Sequence, residues 1–488
     1  MFAGTPHVWG SALVLGALVL AACGRTNEDA KSGPTHGNGG KTSAAGAGAT
    51  FGEGADGGAA TQSEPPAPAD CSNPSAIAEF EDRDLEVVVR NLLKVPTGPI
   101  TVSKLQALTD LWVAVPSPGQ EITSLRGLEC ATQVTRVLIN QAQIRDLSPL
   151  SGLEKLESLS ISGWGASDLQ PLRGLHALKD LQADRNPIVS LEPLRGVVSL
   201  VTLNLAGTDV TSLAGLEPLV HLEALGCYEC ALRDIDAISR LSSLTSLSLT
   251  RNGLVDITPL AGASSLTQVS LGENALTDLS PLSGLQRLEL VSVEHNALTT
   301  LAPLSGLQAL ENLSADDNQL LTLRDLQDLP SLKTLGVGNN PLGSLEGVQN
   351  LPALRTLFAN SIGTSDLSQL AQLPELAGLY ASNNFVSDLS PLSGVKTLTS
   401  LTLDSNQLSD LAPLAALPLL SFFNLKDNQI SDLGPIAHVK CDEACCGLDV
   451  SENPLDAVSL NQHIPTLCAA NMTVSWTGGN CSPCPLTP

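Results

Sequence analysis

Eleven cysteines and seven histidines carry the widest chemical repertoire in this 488-residue chain, and their spacing decides what they can do. Two CxxC pairs stand out, Cys227/Cys230 and Cys481/Cys484. Four thiolates brought together would make a tetrahedral zinc site. These two pairs lie more than 200 residues apart in a stretch of regular repeat, so a shared site is not expected. The histidines (His7, His36, His176, His221, His295, His438 and His463) occur singly. His295 reads as a solvated surface residue. No HExxH, GxSxG or phosphate-binding loop is present, so no catalytic residue, cofactor or metal is expected. The Asp316-Asp317 pair is the one place where a calcium ion is conceivable. With Cys23 set aside, ten cysteines remain: Cys71, Cys130, Cys227, Cys230, Cys441, Cys445, Cys446, Cys468, Cys481 and Cys484. An even number in an exported chain points to disulfides, with connectivity left open. For Cys227 and Cys230 a buried structural pair, bonded or reduced, is the expectation.

The elements that must position any site are set by a repeat. Leu244 to Ser265 reads LTSLSLTRNGLVDITPLAGASS, and the template recurs every 22 residues. The Leu247 position is apolar in fourteen consecutive turns, from Val137 to Phe423. The Asn252 position holds Asn in nine of them, among them Asn186, Asn274, Asn318, Asn340 and Asn428. The pattern LxxLxLxxNxL resembles a leucine-rich repeat. LxL alternation makes a short strand with one buried face. The Asn amide can serve backbone groups in the turn after it. The later Asp-Leu-Ser-Pro-Leu element, as in Asp278 to Leu282, suits a short 3₁₀ or extended return, because proline fixes φ and removes a donor. No single turn can bury its apolar side chains alone, whereas stacking encloses each Leu for about 1.5–3 kcal/mol. The expected fold is a leucine-rich repeat solenoid with a parallel β-sheet on the concave face and a 3₁₀/extended convex side. Trp164, Ile362, Thr208, Ala142 and Cys230 replace the ladder Asn, and those turns should be locally rearranged.

The ends differ from the repeat. The apolar run Val8 to Ala22 is too short to span a bilayer and leads to Leu20-Ala21-Ala22-Cys23. That resembles the bacterial lipobox, which implies removal of residues 1–22 as a lipoprotein signal peptide and lipidation of Cys23. More than one acyl chain makes a durable anchor. Residues 23–70, rich in Gly, Ala, Ser, Thr and Pro, read as a flexible tether, with a reach of roughly 35–40 Å. Residues 71–108 read as a helical N-terminal cap, with Phe80, Leu85, Val88, Val89, Leu92 and Leu93 at helical spacing and a shorter helix near Val102 to Leu108. Residues 109–440 are the solenoid. Residues 441–488 hold an irregular last repeat, restored through Leu448, Val450 and Asn453, and a Cys-rich C-terminal cap.

The cap sequence Phe80-Glu-Asp-Arg-Asp-Leu85, then Val89-Arg90-Asn91, Gly98-Pro99-Ile100-Thr101 and Leu125-Arg126-Gly127-Leu128-Glu129, together with the Asp-Leu-Ser-Pro-Leu turns, resembles bacterial internalins over roughly Ser75 to Val439. The resemblance implies the fold but names no ligand. Four extra residues in the first turn, Ser117 to Gln120, should form a loop. A sortase tail and a wall-binding module are not seen in the sequence, so attachment is expected to rest on the lipid, at the outer membrane or cell surface.

Composition excludes one class of partner. Fifty Asp and Glu against 25 Lys and Arg give a net charge of −25, which argues against nucleic acid or an anionic membrane surface. The expected partner is a protein or glycan bound on the concave face by a monomeric chain that touches membrane through its lipid alone. The alternative is a structural or self-associating cell-envelope protein. Strand residues between the buried leucines point outward, and most are Ser, Thr, Gly, Asn or Asp. Of only seven Phe, four Trp and two Tyr, five fall at such positions: Trp112, Tyr228, Phe358, Tyr380 and Phe422. Phe358 and Tyr380 share a position on adjacent turns, so they should sit about 4.7–4.9 Å apart. Exposed aromatics in a row mark candidate binding hot spots. The surrounding acids, including Asp180, Asp184, Glu229, Glu273, Glu294, Asp316, Asp317, Asp404 and Asp427, outnumber Arg136, Arg185, Arg251 and Lys426. A basic or mixed-charge partner is favoured.

Overall fold

A computed structural model describes residues 70–113, 121–140, 142–439 and 446–482. Cys23, the signal and tether segments up to residue 69, the loop at 117–120, and Cys441, Cys445 and Cys484 lie outside the described residues.

Each turn contributes one short strand, and among the described residues the strands join side by side into one sheet of 18. Neighbours pair in parallel with a register offset of one repeat, for example Leu313↔Leu335 and Leu335↔Leu357. The central Leu of each strand is buried, as are the apolar residues of the following turn and return segment. One continuous core therefore runs the length of the stack. On the far side most turns carry a short 3₁₀ helix, such as Ser280–Leu282 and Ser390–Gly394, with proline at its start.

The ladder Asn earns its place by satisfying backbone groups of two turns at once. Asn340 Nδ2 donates to the carbonyls of Ala315 (3.0 Å), Val337 (2.9 Å) and Gly338 (3.1 Å), while its Oδ1 accepts the Leu320 amide at 2.9 Å. Asn186, Asn252, Asn318, Asn384 and Asn428 repeat the arrangement. Trp164 reaches the equivalent acceptor with its indole, Nε1 donating to Ile139 O at 3.0 Å. Thr208 instead donates to Leu205 O at 2.7 Å. The residue before the ladder position is left-handed turn after turn, including Arg251 (φ 59°), Glu273 (φ 52°), His295 (φ 53°) and Asp427 (φ 53°). Each such residue costs about 1–2 kcal/mol, which the ladder bonds offset.

The Asp of the return segment fixes the 3₁₀ turn. Asp278 Oδ1 accepts the Ser280 amide at 2.8 Å and its hydroxyl at 2.6 Å. In two turns within the stack, as in the first turn at Gly127, the proline is replaced by a glycine at strongly positive φ, Gly215 (103°) and Gly347 (118°). A Cβ there would collide with the backbone of the preceding turn at Leu191 and Leu323, so only glycine fits.

At the N-terminal end, Asp82 caps the helix Arg83–Leu93 by accepting the Asp84 and Leu85 amides. Its other oxygen accepts the Thr123 amide at 2.8 Å, tying the cap to the first turn. Leu85 and Val89 are buried, whereas Leu92 is exposed. The second helix, Val102–Leu105, is shorter than the sequence suggests. Beyond it the bonds tighten to i→i+3, Ala107 to Lys104 and Leu108 to Leu105. Cys71 is bonded to Cys130. At the C-terminal end, the helix Ile464–Ala469 and the strand Met472–Trp476 cover the last turn, and Gly479–Cys481 adds an antiparallel edge. Cys468 is bonded to Cys481, and Cys446 is also disulfide-bonded. Cys227 and Cys230 are fully buried and bonded to each other. No described helix is long and apolar enough to cross a membrane.

Candidate functional site

The outward face of the sheet is built from two columns flanking each buried Leu and a third column two residues further on. In the column after the Leu, serine is the usual occupant, as at Ser248, Ser270, Ser292 and Ser314. Gly336, Phe358 and Tyr380 follow in the next three turns, paired in register. The Phe358 and Tyr380 rings stack with centroids 4.7 Å apart and planes 18° from parallel. The Tyr380 ring leans over Gly378, whose missing side chain makes room for it. Both rings are half-buried.

The other three candidate aromatics are dispersed. Trp112 shares the column of Phe358 but sits on the first strand and is 62% exposed. Tyr228 lies in the third column, where its hydroxyl accepts from Arg251 Nη1 at 3.2 Å. Phe422 is 53% exposed on the same outward face but lies in the column before the buried strand residue, against Gly447, two residues along the strand from the Phe358 column. The structure thus brings two of the five together. It also exposes Phe385, at 57%, immediately after the ladder residue Asn384. The sequence gives no signal for it, because that loop position is occupied elsewhere by Pro, Gly, Ala, Gln or Asp.

The face is acidic, and most of its charges are already engaged. Arg251 lies 3.8 Å from both Glu229 and Glu273. His295 lies 3.5 Å from Asp317. Asp184 accepts from Ser162 (2.5 Å) and Arg185 Nε (2.9 Å). Asp404 accepts from Ser382 (2.5 Å) and Asn424 (3.0 Å). Lys426 pairs with Glu452 at 3.1 Å.

Asp316 differs from these. Its carboxylate leans over Gly336 and Gly338 of the next turn. Oδ1 accepts the Gly338 amide at 2.7 Å, and Oδ2 accepts the Ser314 hydroxyl at 3.1 Å. Burial pushes its carboxyl up from the usual value, and these hydrogen bonds offset that only in part. No described Lys, Arg or His forms an ion pair with it. The sequence signal was Gly336-x-Gly338 one turn after an Asp, in a column where serine is usual.

Near the first strands, a cleft of about 290 Å³ is lined by Thr135, Arg136, Glu157, Ser158, Lys179 and Asp180. Lys179 pairs with Glu157 at 2.9 Å. Among the described residues no group of three or more His, Cys, Asp or Glu is placed to hold a metal, Asp316-Asp317 included.

Comparison with known proteins places this geometry in context. No family model and no curated protein matches the chain. Among solved structures, the internalin InlF of Listeria monocytogenes is 30% identical, with a TM-score of 0.63, covering 70% of this chain and all (100%) of that one. A leucine-rich-repeat protein of Leptospira interrogans has the same fold at 20% identity and a TM-score of 0.63, over 82% of this chain and 97% of that one. The functional domain of InlJ from Listeria monocytogenes, which includes a cysteine ladder, aligns at 22% identity and a TM-score of 0.57, over 81% and 79%.

Proposed function

The chain belongs to the internalin-like family of leucine-rich-repeat proteins, and from that premise we propose that it is a surface-anchored lipoprotein that captures a protein or glycan partner on its concave sheet face. The observation that carries this reading is the Phe358–Tyr380 stack. Two aromatic rings stand side by side on a face otherwise lined mainly by small polar side chains. Aromatic anchors of low conformational entropy are the residues that most often dominate an interface. The rest of the turn is committed to backbone satisfaction and core packing, which leaves this face free to vary.

The activity proposed is binding, carried by the aromatic stack. Disulfides at both ends suit an oxidising, extracellular setting. The anchor is assigned to Cys23, with residues 24–70 as the tether. Radiolabelled palmitate should enter the wild type and be absent from Cys23→Ala. The chain is read as a monomer, since each end of the stack is covered by its own cap. Self-association as an envelope spacer would instead give a mass that rises with concentration in light scattering.

The test of the binding reading is Phe358→Ala/Tyr380→Ala in the full mature chain. Capture of the partner from surface extracts should disappear while the melting temperature stays within a few degrees of wild type. Undiminished capture would remove the patch from the account.

A further inference from the structure

We propose that the Asp316 carboxylate and the uncovered face of Phe358 together form a cation slot for a lysine or arginine side chain of the bound protein. This rests on the concave face being the binding surface, and it names the chemistry of the partner there.

The geometry comes from an absence. Gly336 sits between Ser314 and Phe358 in the same outward column, one strand from each. Without a side chain there, Asp316 folds across the gap: a Cβ at position 336 would overlap its Oδ2 and lie 3.2 Å from its Cγ. Gly338 supplies the second half of the notch and donates its amide. Tyr380 stacks on one face of Phe358, from the following turn. The other face of that ring is on the side of the preceding strand, where Gly336 is its register partner and the carboxylate fills the glycine's place about one strand spacing away.

Two features of this arrangement ask for a cation. A carboxylate withdrawn from water and given no basic partner is held at a cost, and the donors to Asp316 are all neutral. An aromatic face is the negative pole of the ring quadrupole and attracts ammonium or guanidinium groups. A cation seated over the mouth of the notch, against the carboxylate and the edge of that ring face, would satisfy both. The chain's own cations do not reach. Lys333 and Arg355, on the adjacent turns, lie at the start of their strands and are held by Glu311 (2.7 Å) and Glu375 (2.8 Å). His295 is engaged by Asp317. The net charge of −25 favours the same sign of partner. A glycan could also stack on the ring, but a neutral sugar would leave the carboxylate uncompensated.

The test uses the full mature chain and three probes at physiological ionic strength: a short Gly/Ser peptide with one central arginine, its citrulline twin, and a neutral β-linked hexasaccharide. Wild type should prefer the arginine peptide over citrulline by about tenfold. Asp316→Asn keeps the shape and an oxygen for the Gly338 amide, and should bind the two peptides alike. Gly336→Ser introduces the residue already found at Ser270, Ser292 and Ser314, so the fold is kept while the notch is filled, and it too should lose the preference. Glu452→Gln, an acid paired with Lys426 outside the slot, should change nothing. No preference in wild type, a preference that survives both slot variants, an equal loss in Glu452→Gln, or binding of the hexasaccharide at the slot would each overturn the proposal. If the preference is absent while Phe358→Ala/Tyr380→Ala still abolishes partner capture, the slot fails and the binding face stands. If that capture persists, the face itself is wrong.

Discussion

The inside and the outside of the same three-residue strand obey different rules. At the buried position, Leu313, Leu335, Leu357, Leu379 and Leu401 repeat without variation, each at most 1% exposed. One residue later, on the outward side, the same turns read Ser314, Gly336, Phe358, Tyr380 and Thr402. The backbone is equivalent in both cases, so the difference is not one of strand propensity. The inner column is fixed by packing against the turns above and below, where volume is constrained. The outer column touches mainly water and its lateral neighbours, and is free to carry specificity. Stability and recognition are thus carried by alternate residues of one short strand.

Substitutions on the two faces should separate those roles. The largest effect is expected from Leu335→Ala, which opens a cavity in the continuous core and should cost about 2–5 kcal/mol, read by denaturant unfolding. A loss well under about 1 kcal/mol would mean the stack relaxes around the gap. Asn340→Ala should come next, at roughly 2 kcal/mol, because it strands the Val337 carbonyl and the Leu320 amide, while Ala315 O and Gly338 O keep the Asn318 side chain and the Asp317 amide. Both variants that remain folded should still capture partner. On the outer face, Phe358→Leu should cost stability only about the worth of one aromatic pair, roughly 0.5–1.5 kcal/mol, while impairing capture strongly.

Acid provides a subtler division. Asp278 and Asp256 are held below the ordinary range by the hydroxyl and amide two residues on, and Asp366 and Asp388 by the corresponding amide and hydroxyl. A carboxyl depressed in the folded state contributes stability above the unfolded value of about 3.9, and that contribution is lost as the pH falls through the folded value. Melting temperatures should therefore decline below about pH 4. Asp316 has the opposite sign, because its carboxyl is raised. Its ionisation weighs against folding as pH rises through the folded value, so Asp316→Asn should leave the neutral-pH melting temperature unchanged or higher. A clear drop would make Asp316 a structural residue.

How much of this was legible beforehand follows from the same division. The repeat, its parallel strands and the 3₁₀ returns can be read from Leu, Asn and Asp-Leu-Ser-Pro-Leu at fixed spacing, because each reports a contact with the neighbouring turn. The Phe358–Tyr380 stack follows from the 22-residue offset alone. What lay beyond reach depends on which neighbour a side chain leans toward. Asp316 stands out only because Gly336 and Gly338 are empty beside it, and Phe422 falls in the column before the buried residue of its strand instead of the one after it. Trp164 could be recognised as a ladder irregularity, but not that its indole would supply the missing donor. The Cys71–Cys130 pairing joins residues 59 apart through the cap, which spacing does not reveal.

The central claim is that recognition sits on the outward column of the sheet and not elsewhere on the stack. Site-specific photocrosslinking tests it most directly, with benzoylphenylalanine placed at Phe358 in one variant and in another at Val198, which is 45% exposed between a 3₁₀ turn and the next strand. The account predicts a crosslinked partner from position 358 and none from position 198. Equal crosslinking from both, or crosslinking from 198 alone, would contradict it.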